Sequence, residues 1–239
     1  MLQRRLRFAA WAASARARLA WWGMRLELGA PGGTVIGTLP RIQAGRSRER
    51  GGVLRISIGH EVRIGSQVEL EVQAGAENEL ILDDRAQISS SARFKLSGGA
   101  IHVGEETVIR DFAVLKSSGT LHIGARSTVS YGVVVHCAAS VTFEPGVGLA
   151  EHTTVVDSDH RIDGRDLSWD EYPIRCEPVL LERNTTILAG STVLKGTRTG
   201  QGCVAAARSV LRGSYPAKSL LAGAPAAVVR SVSGPERVD

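Results

Sequence analysis

The chain has 239 residues, enough for one large domain with a short appendage. Hydrophobic residues make up 43% of it but aromatics only 5%, so any core must be built from aliphatic and small side chains. The net charge of +5 admits an anionic partner, a phosphorylated cofactor or an anionic membrane; nucleic acid is disfavoured, because the basic residues are dispersed and no recognised reading motif accompanies them.

Residues 2–24 read as a helix. Leu2, Leu6, Ala9, Ala13, Ala17, Ala20 and Met24 recur at three- to four-residue spacing and make an apolar stripe, with Arg4, Arg7 and Arg18 opposite and Trp11 and Trp22 near them. Such a helix packs on the rest of the protein or on a partner subunit. The alternative is an amphipathic segment in peripheral contact with an anionic membrane surface, where arginine and tryptophan both sit well. Residues 29–52 are rich in glycine and arginine and are expected to be an irregular lead-in, so 1–52 is set apart from the rest of the chain.

The next stretch is repetitive. ISIGHEVRIGSQVEL (56–70) and LILDDRAQISSSARF (80–94) are loose copies of a row that becomes regular from residue 100. Written in rows of twenty, the chain reads AIHVGEETVIRDFAVLKSSG, TLHIGARSTVSYGVVVHCAA and SVTFEPGVGLAEHTTVVDSD. One column holds Ile101, Leu121 and Val141; others hold Val103, Ile123 and Phe143, then Ile109, Val129 and Leu149, then Leu115, Val135 and Val155. Beyond residue 180 the unit is six residues: LERNTT, ILAGST, VLKGTR, TGQGCV, AAARSV. A helix repeats its buried face every three to four residues and a lone strand every two. A period of six fits a short strand plus a turn, one side of a three-sided coil whose stacked copies share a core. The expected fold is therefore all-β, a parallel β-helix prism running from about Val53 to Leu211, within a domain of 53–230.

The repeat is interrupted once, by DSDHRIDGRDLSWDEYPIRCEP (157–178), an extended, acidic loop with a single histidine, His160. A polar excursion of this length from a tight solenoid is a candidate functional loop. His136 lies one row before Val156, at an edge of the prism near the start of this loop. His102 and His122 share a column and are expected to stack. Cys137, Cys176 and Cys203 form no CxxC pair, and no three histidines converge in spacing, so no metal is expected. Arginines interrupt the early apolar stretch, and no apolar run approaches the ~20 residues of a membrane span. A cytoplasmic protein, at most touching the inner face of a membrane, is the simplest expectation. The tail after Arg230 is polar and is expected to fray.

The run LERNTTILAGSTVLKGTRTGQGCV, AAARSVL and YPAKSLLAGAPAAVVR, from 178 to 230, resembles the closing segment of hexapeptide-repeat acyltransferases, including those that acetylate bacterial sugars and polysaccharides. It departs from them at Thr186, where tryptophan is common, at Arg208, where glycine is common, and at Ala224, where asparagine is frequent. The resemblance implies a left-handed β-helix, an exception to right-handed crossovers, assembled as a homotrimer with active sites between subunits. It implies acetyl-CoA as acyl donor and a catalytic histidine at the start of the loop beside an aspartate, which points to His160 with Asp157 or Asp159. Ala189, Gly190 and Ala207 would then approach the pantetheine arm, and Lys218 and Arg230 the phosphates. His136 and Trp169 are candidates to line the acceptor groove.

These residue types suit acyl transfer. An attacking hydroxyl must lose its proton, and imidazole, with an unperturbed pKa of about 6.5, accepts one near neutral pH. A carboxylate on the other ring nitrogen would fix the tautomer. The resulting expectation is an O-acetyltransferase acting on a sugar hydroxyl, a small molecule or a glycan, in polysaccharide biosynthesis. The alternatives are N-acetylation of an amino sugar or amino acid, and a β-helix that only scaffolds.

Overall fold

The computed structural model describes residues 2–29, 35–36, 40–45 and 49–232. Its body is a three-sided β-solenoid of eight complete coils, followed by two sides of a ninth. Each coil contributes one strand to each of three flat parallel sheets, in the order first, second, third, and each strand pairs with its counterpart one coil on. Every column read from the sequence is a hydrogen-bonded register: Ile101 on Leu121 on Val141, Ile109 on Val129 on Leu149, Leu115 on Val135 on Val155. All nine side chains are buried. Successive strands lie about 4.8 Å apart, so these columns are continuous aliphatic ladders, and removing one rung would deprive two neighbours of contact.

The corners explain the small residues. Thr107 donates its hydroxyl to the Gly124 carbonyl at 2.8 Å and accepts from the Ser127 amide at 3.1 Å, and Ser127 accepts from Val147 in turn at 3.2 Å. In the later coils Thr185, Ser191, Thr197, Cys203 and Ser209 are buried at the same place. Thr199 and Ala205, weak leaders by composition, stand in the buried ladder with Leu181, Ile187 and Val193; the Thr199 hydroxyl is satisfied by Thr185 at 2.9 Å. At the tight corner of the fourth coil a Cβ on Gly119 would run into the carbonyl of Ala139, so only glycine fits.

The prism begins earlier than expected. Arg25–Gly29 pairs in parallel with 53–57, Val35–Ile36 with 63–64, and Arg41–Ala44 with 69–72, so a full coil occupies part of the stretch read as an irregular lead-in. Arginine and glutamate alternate outward there, and among the described side chains Leu26, Leu28, Ile42 and Ala44 mark the inner face, too few for the period to show. At the other end the solenoid continues past Leu211 through Ser214–Tyr215 and Ser219–Gly223, and Ala226–Ser231 folds back antiparallel on the last strand. Of the tail expected to fray, residues 233–239 lie outside the described residues.

The helix is present, Leu2–Trp21, and closes the first end of the prism. It stops at Gly23, whose φ of +72° forms the turn in which Met24 donates to the Leu19 carbonyl at 3.0 Å. Its buried face is not the alanine stripe. Trp11, Ala12, Ala15 and Leu19 are buried, with Phe8 beside them, whereas Ala9, Ala13, Ala17 and Ala20 face outward. Burying an indole and a leucine removes far more apolar area from water than burying four methyls, which sets the rotation. The Trp11 indole also finds a partner, donating to the Pro40 carbonyl at 2.8 Å. The side chains of Leu2, Arg4, Leu6 and Arg7 lie outside the described residues. No helix among the described residues is long and apolar enough to cross a membrane.

Candidate active site

The repeat breaks at the corner between the third and first sheets. Elsewhere that corner is short, as at Ser118–Gly119 and Ala138–Ala139; after the sixth coil it carries residues 157–178 instead. The prism does not lose register, since Val141 pairs directly with Val179 and Val155 with Val193. The insertion is a hairpin rather than an open loop. Ser158–His160 runs antiparallel to Ile174–Cys176, and a one-turn 3-10 helix, Trp169–Glu171, lies between them. Tyr172 is its buried centre, with its hydroxyl donating to the Arg165 carbonyl and the Arg165 guanidinium over its ring.

His160 is half-buried at the end of the outgoing strand. Its Nδ1 lies 2.9 Å from the carbonyl oxygen of Tyr172. A carbonyl only accepts, so Nδ1 carries the proton and Nε2 presents a lone pair. The Trp169 indole stands edge-on to the imidazole at 5.2 Å between centroids and is 71% exposed, placing the candidate acceptor contact beside the candidate base.

Neither aspartate expected to orient His160 does so. Asp157 is fully buried, and its carboxylate accepts from three consecutive amides of the preceding coil, Ala138 and Ala139 at 2.7 Å and Ser140 at 2.8 Å. Successive amides around one anion form a nest; Asp157 closes the corner at the root of the hairpin. Asp159 points to Lys195, with Oδ1 2.9 Å from Nζ. Lys195 also meets Glu177 at 3.3 Å, and Asp159 first, then Glu177, raise its pKa above the ordinary value. The orienting group is a backbone carbonyl, which no side-chain pattern announces. Lys195 carries only a faint signal in the sequence: a charged residue in the third place of VLKGTR, where ILAGST has alanine.

His136 points outward on the third sheet between Lys116 and Val156, and its carbonyl accepts from the Asp157 amide at 3.4 Å, so it lies at the foot of the hairpin. Burial, then Lys116, holds its pKa below the usual value and favours the neutral ring. His102 and His122 share the outer face of the first sheet but meet edge to face rather than stacked, with centroids 4.8 Å apart; Asp83, unremarked in the sequence, joins them through His102 Nε2 at 2.7 Å. Cys137 is buried and its thiol is pushed up to about 11, chiefly by burial, which removes it as a nucleophile.

The coenzyme candidates divide. Ala189, Gly190 and Ala207 stack at the corner between the second and third sheets, where the Gly190 amide donates to Glu151 and Arg208 donates to the Ala189 carbonyl, each at 2.9 Å. Small side chains there leave the backbone open to close approach, which fits an amide-bearing arm. Lys218 sits at the corner between the first and second sheets, and Arg230 on the antiparallel edge strand. Both are exposed cations suited to phosphate. Within one chain, therefore, the Ala189 column and the His160 hairpin occupy different edges of the prism.

No family model matches the chain. A Mycobacterium tuberculosis protein described as a "probable acetyltransferase" is 31% identical over 134 residues, covering 56% of this chain and 43% of that protein. A tetrahydropyridine-dicarboxylate N-acetyltransferase of Staphylococcus aureus is 34% identical over 61 residues, 26% of each. The chain thus spans less than half the length of these curated relatives. Among solved structures, the polysialic acid O-acetyltransferase OatWY superimposes with a TM-score of 0.56 at 13% identity, over 90% of this chain and 91% of that one. The Bacillus cereus N-acyltransferase AntD, solved with coenzyme A and dTDP-4-amino-4,6-dideoxyglucose, gives 0.52 at 18% identity, over 62% and 81%. At these identities the two structures establish the shared solenoid and nothing of the chemistry.

Proposed function

The chain carries the hexapeptide-repeat β-helix of the acyltransferase family, and we propose that it transfers an acetyl group from acetyl-CoA to a sugar hydroxyl in polysaccharide assembly, with His160 as general base. The observation that carries the reading is the fixed tautomer of His160. With Nδ1–H held by the Tyr172 carbonyl, Nε2 takes the proton of the acceptor hydroxyl as its oxygen attacks the thioester carbon. The tetrahedral intermediate then collapses, the carbon–sulfur bond breaks, and the imidazolium returns the proton to the departing thiolate. Proton and charge balance without a covalent enzyme intermediate. Trp169 offers an exposed aromatic face beside the base, against which a pyranose ring packs, and His136 borders the same groove.

The division of the site supports assembly as a homotrimer. One copy supplies the His160 hairpin at one prism edge, and a neighbour supplies the Ala189, Gly190 and Ala207 column at another, with Lys218 and Arg230 available to the phosphates. N-acylation is the competing chemistry, since an ammonium acceptor also needs a base.

Acceptor screening separates the readings. Purified protein is given acetyl-CoA with neutral sugars, oligosaccharides, amino sugars and amino acids, thiol release is followed, and products are analysed by mass. Ester products on sugar hydroxyls are expected. Amide products alone would replace O-transfer with N-transfer, and no turnover with any acceptor would leave a binding scaffold.

A further inference from the structure

The ammonium of Lys195 is the one cation that meets carboxylates from both sides of the hairpin among the described ion pairs. Asp159 belongs to the outgoing strand and Glu177 comes just after the returning one, while Lys195 sits on the next coil. Only 9% of its side chain is exposed, against 59% for Asp159 and 53% for Glu177, so the lysine is the seated member and the hairpin is what it holds. The backbone repeats the tie: Gly196 donates to the Glu177 carbonyl at 3.0 Å, and only glycine suits that corner, because φ is +71° and a Cβ would strike the Glu177 carboxylate.

His160 comes directly after Asp159, and its ring is oriented by Tyr172, which lies between the two strands. Pulling on Asp159 and Glu177 together therefore sets where the imidazole stands above the prism. It also engages the Asp159 carboxylate, so the Tyr172 carbonyl is left as the partner of Nδ1. We propose that Lys195 is a positioning residue for His160, a clamp that fixes the hairpin on the seventh coil and the base in its reactive place. The proposal rests on the catalytic assignment of His160. Both carboxylates are more than half exposed and screened by solvent, so the tie adds little to stability, and its effect belongs to geometry, where a displacement of about 1 Å can cost on the order of 10²-fold in rate.

The test compares Lys195→Met, which keeps length and loses charge, with Lys195→Arg, which keeps charge. In each, kcat and KM for acetyl-CoA are measured, with hydrogen exchange of amides 158–176 beside those of 120–143. Lys195→Met is expected to lower kcat about 10- to 100-fold with KM within twofold, and to speed exchange in the hairpin alone; Lys195→Arg recovers most of kcat. Unchanged kcat in Lys195→Met, or a raised KM with kcat kept, overturns the clamp and in the latter case makes Lys195 a ligand contact. A loss of protection throughout 120–143 would assign Lys195 to general stability instead. Wild-type protein that turns over nothing refutes the proposed reaction itself, a result distinct from an active wild type indifferent to Lys195.

Discussion

Replacing His160 with alanine is expected to lower acetyl transfer by about 10²–10⁴-fold while the coils stay folded. The imidazole makes one hydrogen bond, to the Tyr172 carbonyl, and one ring contact, to exposed Trp169; it belongs to no part of the aliphatic core. What the substitution removes is the lone pair on Nε2. A sugar hydroxyl is almost wholly protonated at neutral pH, so without a base its oxygen must attack before the proton has anywhere to go. The His160→Gln variant keeps a polar side chain of similar reach but accepts no proton, and the same loss is expected from it. Turnover at saturating acetyl-CoA, read beside the urea midpoint, separates the two contributions: kcat falls and the midpoint stays.

Asp157→Ala behaves in the opposite way. Its carboxylate accepts from three amides at 2.7–2.8 Å in a fully buried setting. Hydrogen bonds to a charged group contribute about 1.5–3 kcal/mol each and are not additive. Removing the acceptor also leaves three donors facing a cavity, so a destabilisation on the order of 3–5 kcal/mol is expected. Asp157→Asn rescues little, because an amide NH2 would face an N–H that needs an acceptor. Urea unfolding measures the loss directly. Under conditions where Asp157→Ala remains folded, its kcat falls less than that of His160→Ala. A variant with wild-type stability and abolished kcat would return Asp157 to the catalytic role it was expected to have from its neighbour His160.

Much of the fold was legible because the solenoid is nearly one-dimensional. The column of Val103, Ile123 and Phe143 predicts its own hydrogen-bonded register, since stacking is the only long-range decision the chain makes there. The first coil was hidden because Arg25, Glu27, Arg41 and Gln43 dominate strands whose inner faces show few aliphatics. The helix was legible as a helix, but its buried face was not: counting apolar positions weighs Ala13 like Leu19, whereas burial weighs area. At the site, the break in the repeat singled out the loop that holds His160, and the resemblance to hexapeptide-repeat acyltransferases is what pointed to it as the base. They did not reveal its partner, because the Tyr172 carbonyl is brought to it by the hairpin's antiparallel return. Adjacency in sequence favoured Asp157 and Asp159, yet neighbouring residues on a strand point to opposite sides. Asp157 turns into the amides of the preceding coil and Asp159 to Lys195.

The proposed reaction requires this solenoid to hold a coenzyme A thioester between copies of itself. Equilibrium titration of the assembled protein with coenzyme A, by calorimetry, checks this. One coenzyme A bound per chain is expected, with an affinity unchanged in His160→Ala and weakened by Ala207→Leu, whose larger side chain fills the exposed corner where the pantetheine arm would approach. An assembled, folded protein that binds no coenzyme A would contradict it and leave a prism that only scaffolds.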